Sequence, residues 1–479
     1  MGARYPILLW VATFFSLLGA VQFGYHVGVL NTCLSFVSDD LGVKGANIEA
    51  VVVSALLVGA AVGSLLAGGL ADRLGPKTAS VVNTLPLFLG INICAAAEHL
   101  WPMLLGRFIS GLGAGAASVY VPRYLSEIAP AEIRGALGTM NQVCINLGIV
   151  CAYAIGYPYE GGDASIDLFG RDVPWWRVMF AAALGPCLLQ AVGMSLCPES
   201  PVWHSWQGRH QLAAASYLKL HGTDSPGAVG QGPAPVAVDA EEPLLAGSVE
   251  GTEAGAAAGS QLGWGALLAP KYRRVMILAA GLPLFQQLSG INTVIFYSSE
   301  VFKQAGLSSP ILGSILMGLV NLGMTLVTAL LMDRAGRKPL LTSSHAGMAA
   351  CLGIMAAFMW LPTPHSLEGT VTLASILAYV LFFALGSGPI PWVYLPEILP
   401  LEIKGNAQAL CTCLNWVSNL VVGLSFPAML HALNIAGSYA VYAVFNIAAA
   451  VFMARWMVET KRQSLFEIRA MLVVPDTGS

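Results

Sequence analysis

Three side-chain amides, Gln286, Gln287 and Asn292, fall within seven residues of a stretch made otherwise of apolar and small residues. A primary amide offers two N–H donors and a carbonyl with two lone pairs, so it suits any neutral group that both gives and takes hydrogen bonds. In apolar surroundings an unpaired amide is costly, so each must meet a partner or a wet cavity. On a straight helix Gln287 and Asn292 stand about 140° apart and share no face. Ser289-Gly290 lies between them, and unwinding there would turn all three amides toward one cavity. Asn415 and Asn419 are four apart and share a face. Gln142, Asn146 and Tyr153 fall at i, i+4 and i+11, again one face. Asn321 stands alone in its run. Gly386-Ser387-Gly388-Pro389-Ile390-Pro391 removes backbone donors and loosens a helix, so a break is expected there. Trp392 follows, with a ring that can stack and an N–H that can donate. Interhelical hydrogen bonding, or for Trp392 a place at the membrane interface, is the plainer alternative for each.

Other chemistries lack their residues. No His/carboxylate metal cluster, catalytic triad or phosphate-cradling glycine loop occurs, so no catalytic residue, metal or cofactor is expected and the chain is not read as an enzyme. Gly111-Leu112-Gly113-Ala114-Gly115 lies in an apolar run and reads as close helix packing. The nine Cys are scattered and none forms C-x-x-C. Only 10% of the 479 residues are charged and 56% are hydrophobic, against about 25% charged in soluble domains. A soluble enzyme, a disordered chain and a nucleic-acid binder are thereby excluded; the net charge of -3 offers nucleic acid no basic footprint.

The elements that position these residues are membrane helices. About 20 apolar residues cross a bilayer core. Such runs lie at 6–30, 47–70, 79–97, 100–122, 134–157 and 174–197, and again at 274–297, 309–332, 339–361, 371–395, 404–428 and 435–457. The first run is too long for a cleavable signal and passes any A-x-A site. With both termini on one side, 18 of the 23 Lys and Arg fall on that side, four on the other, and Arg107 inside span 4. The positive-inside rule then puts both termini in the cytoplasm, or in the stroma for a plastid membrane.

The chain also repeats itself. Asp72-Arg73-Leu74-Gly75-Pro76-Lys77 returns as Asp333-Arg334-Ala335-Gly336-Arg337-Lys338, Glu127 to Gly135 as Glu397 to Gly405, and Pro198-Glu199-Ser200 as Val458-Glu459-Thr460. The offsets are 261, 270 and 260 residues, at matching span ends. Two parallel six-span halves follow, at 1–200 and 274–458, joined by a linker over 201–273 and followed by a tail over 459–479. Trp203 to His221 reads as one short cytoplasmic helix. Residues 222–263 are rich in Gly, Ala, Pro and acidic residues, and are expected to be a disordered tether.

Over nearly its whole length the chain resembles the sugar-porter branch of the major facilitator superfamily. The carrying motifs are Gly68-Gly69-Leu70-Ala71-Asp72-Arg73, Gly106-Arg107-Phe108, Glu127 with Arg134-Gly135, Pro198-Glu199-Ser200-Pro201, Gln286-Gln287-Leu288-Ser289-Gly290-Ile291-Asn292, Asp333 to Lys338, Gly388-Pro389-Ile390-Pro391-Trp392 and Glu459-Thr460-Lys461. Phe23-Gly24-Tyr25-His26 and Trp175-Trp176-Arg177 are most similar to plastidic glucose transporters; animal facilitative hexose transporters come next. The resemblance implies an all-α integral membrane protein of twelve helices in two pseudo-symmetric halves. It implies a monosaccharide substrate held by Gln286, Gln287, Asn292, Asn321 and Asn415, in a carrier that works as a monomer in the lipid bilayer; Trp392 by its ring and N–H, and Gln142 by its place on the span-5 face, join the expected substrate-binding set. The family's span-5 sugar-binding Gln aligns with Tyr153, whose hydroxyl can still bond a sugar. Its frequent span-10 Glu is Ala384 here.

Asp72/Arg73, Glu127/Arg134, Glu199, Asp333/Arg334, Glu397/Lys404 and Glu459 sit at the inner span ends of both halves. As a network between halves they can bias a rocking equilibrium by closing only when the outer gate is open. Pro76 stands where a basic residue is usual, which predicts a weaker first-half network. Proton symporters of the family carry an Asp in span 1 beside the span-4 Arg. Here that position is His26, with Arg107 retained; an imidazole can titrate, but a neighbouring guanidinium disfavours its cation. The reading is therefore a facilitative hexose uniporter, glucose first, working by alternating access without a cofactor. Proton/hexose symport through His26 is the alternative, and a transporter-like sugar sensor is the alternative from another class. Plastid inner envelope and plasma membrane are the two locations considered.

Overall fold

A computed structural model describes residues 5–42, 46–130, 133–162, 164–168, 170–222, 264–304, 306–361, 365–400, 403–461, 463, 468 and 471–472. The tether expected at 222–263 lies outside the described residues but for Gly222, as do the side chains of Arg134 and Asp333. Eleven described helices are long and apolar enough to cross a bilayer, from Ile7–Gly28 to Lys404–Trp456. The last runs for 53 residues, about 80 Å at 1.5 Å per residue and far beyond a ~30 Å hydrocarbon core. It is two spans. At Asn434 the backbone leaves the helix (φ 56°, ψ -175°), and the Asn434 side-chain oxygen accepts the Gly437 N–H at 3.1 Å, an N-cap for span 12. Twelve spans in two groups of six thus match the apolar runs.

Sequence explains the packing within the first half. A Cβ on Gly59 would lie 2.1 Å from the Phe108 carbonyl oxygen, and one on Gly115 would lie 2.0 Å from that of Ala60. Spans 2 and 4 therefore touch backbone to backbone, which is what the glycine run at 111–115 predicts. Spans 1 and 5 approach as closely, at Gly24 and Gly148. Between the halves, span 2 meets the Lys404–Trp456 helix and span 5 meets span 8.

Even crossing numbers bring both ends of the chain to one face of the bundle, here the terminal face. Arg274, at the start of span 7, donates to the Met471 carbonyl at 2.9 Å. The opposite, distal face carries the hairpin Ser165–Leu168 with Arg171–Pro174. The linker helix expected over Trp203 to His221 is two helices, Pro201–Trp206 and His210–His221. Gly208, at φ +69°, turns the chain between them, and Ser200 caps the first by accepting the Trp203 N–H at 3.1 Å.

Candidate functional site

Span 7 breaks where Ser289-Gly290 predicts. Its first helix ends at Leu288 and its second starts at Ile291. Gly290 adopts φ +90°, and a Cβ there would lie 2.8 Å from the Tyr442 ring, so conformation and space both demand glycine. The break brings Asn292 to Gln287: the Asn292 amide donates to the Gln287 side-chain oxygen. Gln286 turns elsewhere. Its amide nitrogen donates to the carbonyls of Ser387 at 2.6 Å and Gly388 at 3.1 Å, and its oxygen accepts from Asn415 at 2.9 Å. All four amides are buried. The three span-7 amides thus split instead of forming one group: Gln287 and Asn292 pair across the break, and Gln286 pairs with Asn415 of span 11.

The Gln286 contact has a cause in span 10. Pro391 has no N–H for the Ser387 carbonyl four residues earlier, which would be orphaned in an apolar interior. Gln286 supplies the donor. The turn Phe383–Ser387 widens to a π-helix. Thr328 of span 8 donates to the Ala384 carbonyl at 2.9 Å, and Ser344 of span 9 to that of Phe382 at 2.7 Å. Trp392 follows this break and is half-buried. Two broken helices, 7 and 10, therefore meet through one glutamine.

On the face of span 5 that meets the second half, Gln142 donates to Asn146 at 3.3 Å. Asn146 donates to Thr325 at 2.8 Å and Asn321 at 3.3 Å in span 8. Tyr153 is fully buried, and its hydroxyl donates to the Ile295 carbonyl of span 7 at 2.7 Å. In this conformation Tyr153 links the halves, and its O–H is already committed.

More such links lie at the distal face. Asn31 of span 1 donates to the Ile295 carbonyl at 2.6 Å and to Ser298 at 2.9 Å, and accepts from Ser299 at 2.6 Å. Glu160 accepts the Ile311 N–H at 3.1 Å, a carboxylate on the first turn of span 8, where the helix dipole favours it. Distally, the halves are latched.

The described charges of the terminal face pair within halves. Arg123 bonds Asp72 at 2.8 Å and Glu127 at 2.9 Å; Arg337 bonds Glu397 at 3.1 Å. The cations described on Asp72, Glu127 and Glu397 are thus Arg123 and Arg337, while Arg73 and Arg334 are exposed. Glu199 accepts the Lys77 and Thr78 N–H groups at 2.8 and 3.0 Å. Glu459 accepts those of Arg337 and Lys338, both at 3.0 Å. Each carboxylate caps a helix that starts after a positive-φ glycine, Gly75 or Gly336. Arg123 and Arg337 were missed as site residues. The repeat held the signal: Pro76 stands opposite Arg337, and Arg123 opposite Val393. The cation has changed element between halves, so the first-half network is not left without one.

His26 and Arg107 are both buried. Arg107 donates to the His26 backbone carbonyl at 2.9 Å, which places a fixed positive charge beside that turn of span 1. The His26 Nε2 has no partner. Among the described residues no Asp or Glu is buried.

A family model described as sugar (and other) transporter matches residues 11–472. Plastidic glucose transporter 4 of Arabidopsis thaliana is 38% identical over 95% of this chain and 79% of its own. The facilitated glucose transporter member 3 of solute carrier family 2 from Oryctolagus cuniculus is 32% identical over 97% of this chain and 92% of its own. Among solved structures, the proton:xylose symporter XylE of E. coli bound to 6-bromo-6-deoxy-D-glucose superposes with a TM-score of 0.79, at 27% identity, over 97% of this chain and 99% of that one.

Proposed function

The chain belongs to the sugar transporter family of the major facilitator superfamily, and on that premise we propose that it is a facilitative hexose carrier with glucose as substrate. The observation that carries this reading is the pair of broken helices whose meeting point is built from uncharged amides. Amides match a ligand that is neutral and hydroxylated, because a hydroxyl also both gives and takes hydrogen bonds. Gln286 is paired with Asn415, and Gln287 with Asn292. A hexose replaces these bonds with bonds to its own hydroxyls, each exchange netting about 1 kcal/mol. Binding is then modest and release easy. Trp392 offers a ring for the C–H face of the pyranose.

Alternating access follows from the latch. Asn31, Tyr153 and Glu160 hold the distal ends together while the terminal-face ions pair within halves. Rocking would trade the distal bonds for bonds between the halves at the terminal face. The carrier needs no cofactor and performs no covalent step, and the monomer suffices. The likeness to plastidic glucose transporters supports the plastid inner envelope, with both termini on the stromal side by their Lys/Arg excess; the plasma membrane is the other location.

Flux is downhill in this reading, since no buried Asp or Glu among the described residues is present to carry a proton. The rival, proton symport, has the unpartnered Nε2 of His26 in its favour. Labelled D-glucose uptake into proteoliposomes, with and without an inward proton gradient, separates the two. One coupled proton is worth about 2.3 kcal/mol per 100 mV, roughly a 50-fold accumulation. Equal plateaus in both conditions are expected. Accumulation abolished by an uncoupler and by His26→Ala would establish symport.

A further inference from the structure

The break in span 7 leaves a carbonyl to be accounted for. In an unbroken helix the Ser289 oxygen would accept the Thr293 N–H. That N–H goes instead to the Gly290 carbonyl at 3.1 Å, and the Thr293 hydroxyl joins it at 2.7 Å. The Ser289 oxygen is buried and would be orphaned. Two side chains from other spans take it: the Asn446 amide of span 12 and the Tyr379 hydroxyl of span 10, each at 3.0 Å. Asn446 in turn contacts Nδ1 of His345 in span 9 at 3.0 Å through its side-chain oxygen.

Donor and acceptor roles in this chain are determined. The Asn446 nitrogen faces two carbonyls, those of Ser289 and of Tyr442 at 2.9 Å, so it is the donor end of the amide. Its oxygen therefore faces His345 and must accept, which puts a proton on Nδ1 of that imidazole. His345, Asn446, Tyr379 and Ser289 are all buried. Spans 9, 10 and 12 thus converge on one peptide group, two residues after Gln287 and three before Asn292.

We propose that Asn446, oriented by His345 and joined by Tyr379, is a positioning residue that fixes the span-7 break and so the placement of the substrate amides. The proposal rests on the reading of Gln286, Gln287 and Asn292 as the sugar site. Asn446→Leu keeps the volume and removes both amide ends, so the Ser289 carbonyl keeps only Tyr379. The amides on either side of the break then lose their shared geometry.

The test is D-glucose uptake by the full-length carrier in proteoliposomes, read as KM against maximal rate, with thermal stability measured in parallel. Asn446→Leu is expected to raise KM about tenfold, with the maximal rate kept within about twofold. His345→Leu should act in the same direction, and His345→Asn, whose amide nitrogen can stand near the Nδ1 position, should restore KM. Because the residues act in series, adding His345→Leu to Asn446→Leu should change KM no further. Should Asn446→Leu fail to fold, Tyr379→Phe removes one donor from the same carbonyl without changing its packing, and about a threefold rise is expected. An unchanged KM in the folded variants would overturn the proposal, as would a KM that follows thermal stability alone with no recovery in His345→Asn. Gln287→Ala measured beside them separates the two failures: if it too leaves KM unchanged, the sugar-site reading has failed, and if it raises KM while the others do not, only the positioning role has.

Discussion

Replacing Asn31 with Leu should loosen the distal latch without emptying its volume. Asn31 spends its whole side chain on span 7, with two donated bonds at 2.6 and 2.9 Å and one accepted at 2.6 Å. A typical hydrogen bond nets about 1 kcal/mol, which sets a ceiling of about 3 kcal/mol. The true loss is smaller. Ser298 and Ser299 already reach the Ser314 hydroxyl at 2.8 and 3.0 Å and can lean on it. The Ile295 carbonyl also keeps Tyr153. About 1 to 2 kcal/mol remains, a shift of roughly 5- to 30-fold toward the distally open form. Hydrogen exchange on the carrier in lipid nanodiscs reads this shift, because amides of residues 295–304 exchange through that opening. Faster exchange by about that factor at the distal ends of spans 1 and 7, with the terminal-face ends unchanged, is expected. Exchange equal to wild type at the distal ends would show that Asn31 does not hold the halves together.

Two further predictions concern the terminal face. Arg123→Ala leaves Asp72 and the half-buried Glu127 without their cation, and should cost about 1 to 3 kcal/mol in thermal unfolding; Pro76→Arg, which copies the position of Arg337, should recover part of it, and no recovery would contradict the exchanged-cation account. Gly336→Ala puts a Cβ 2.6 Å from a Glu459 oxygen at φ +96° and should cost about 2 kcal/mol, whereas Gly353→Ala, with open space around it, should be neutral or stabilising in the same melt.

What could be read from the sequence followed what local chemistry determines. Run length gave all twelve spans, and the glycines of spans 2 and 4 announced their contact. Ser289-Gly290 and the paired prolines at 389 and 391 announced both breaks, because a missing N–H or a left-handed turn is a property of one residue. Partner choice was not legible. That Gln286 would answer the carbonyl freed by Pro391, across 101 residues, depends on how two helices cross. The same holds for Asn31 on span 7 and Asn446 on Ser289, since each amide could have served as glue elsewhere. Tyr153 shows the limit most directly. Its helix face was evident, but only the fold shows the hydroxyl already tied to Ile295. Arg123 was hidden for another reason: the repeat conserves the need for a cation at Glu127 and Glu397 but not the element that supplies it.

The central claim is that the amides beside the span-7 break bind the transported sugar. Counterflow tests it most directly: proteoliposomes loaded with unlabelled D-glucose are diluted into labelled D-glucose, and the initial uptake is followed. The wild-type carrier should show a transient overshoot driven by exchange alone. Gln287→Ala, which loses a direct sugar bond and leaves Asn292 unpaired, should cut the initial exchange rate at least about fivefold at equal reconstituted protein and unchanged thermal stability. A Gln287→Ala carrier that exchanges glucose with the wild-type rate and half-saturation would contradict the account.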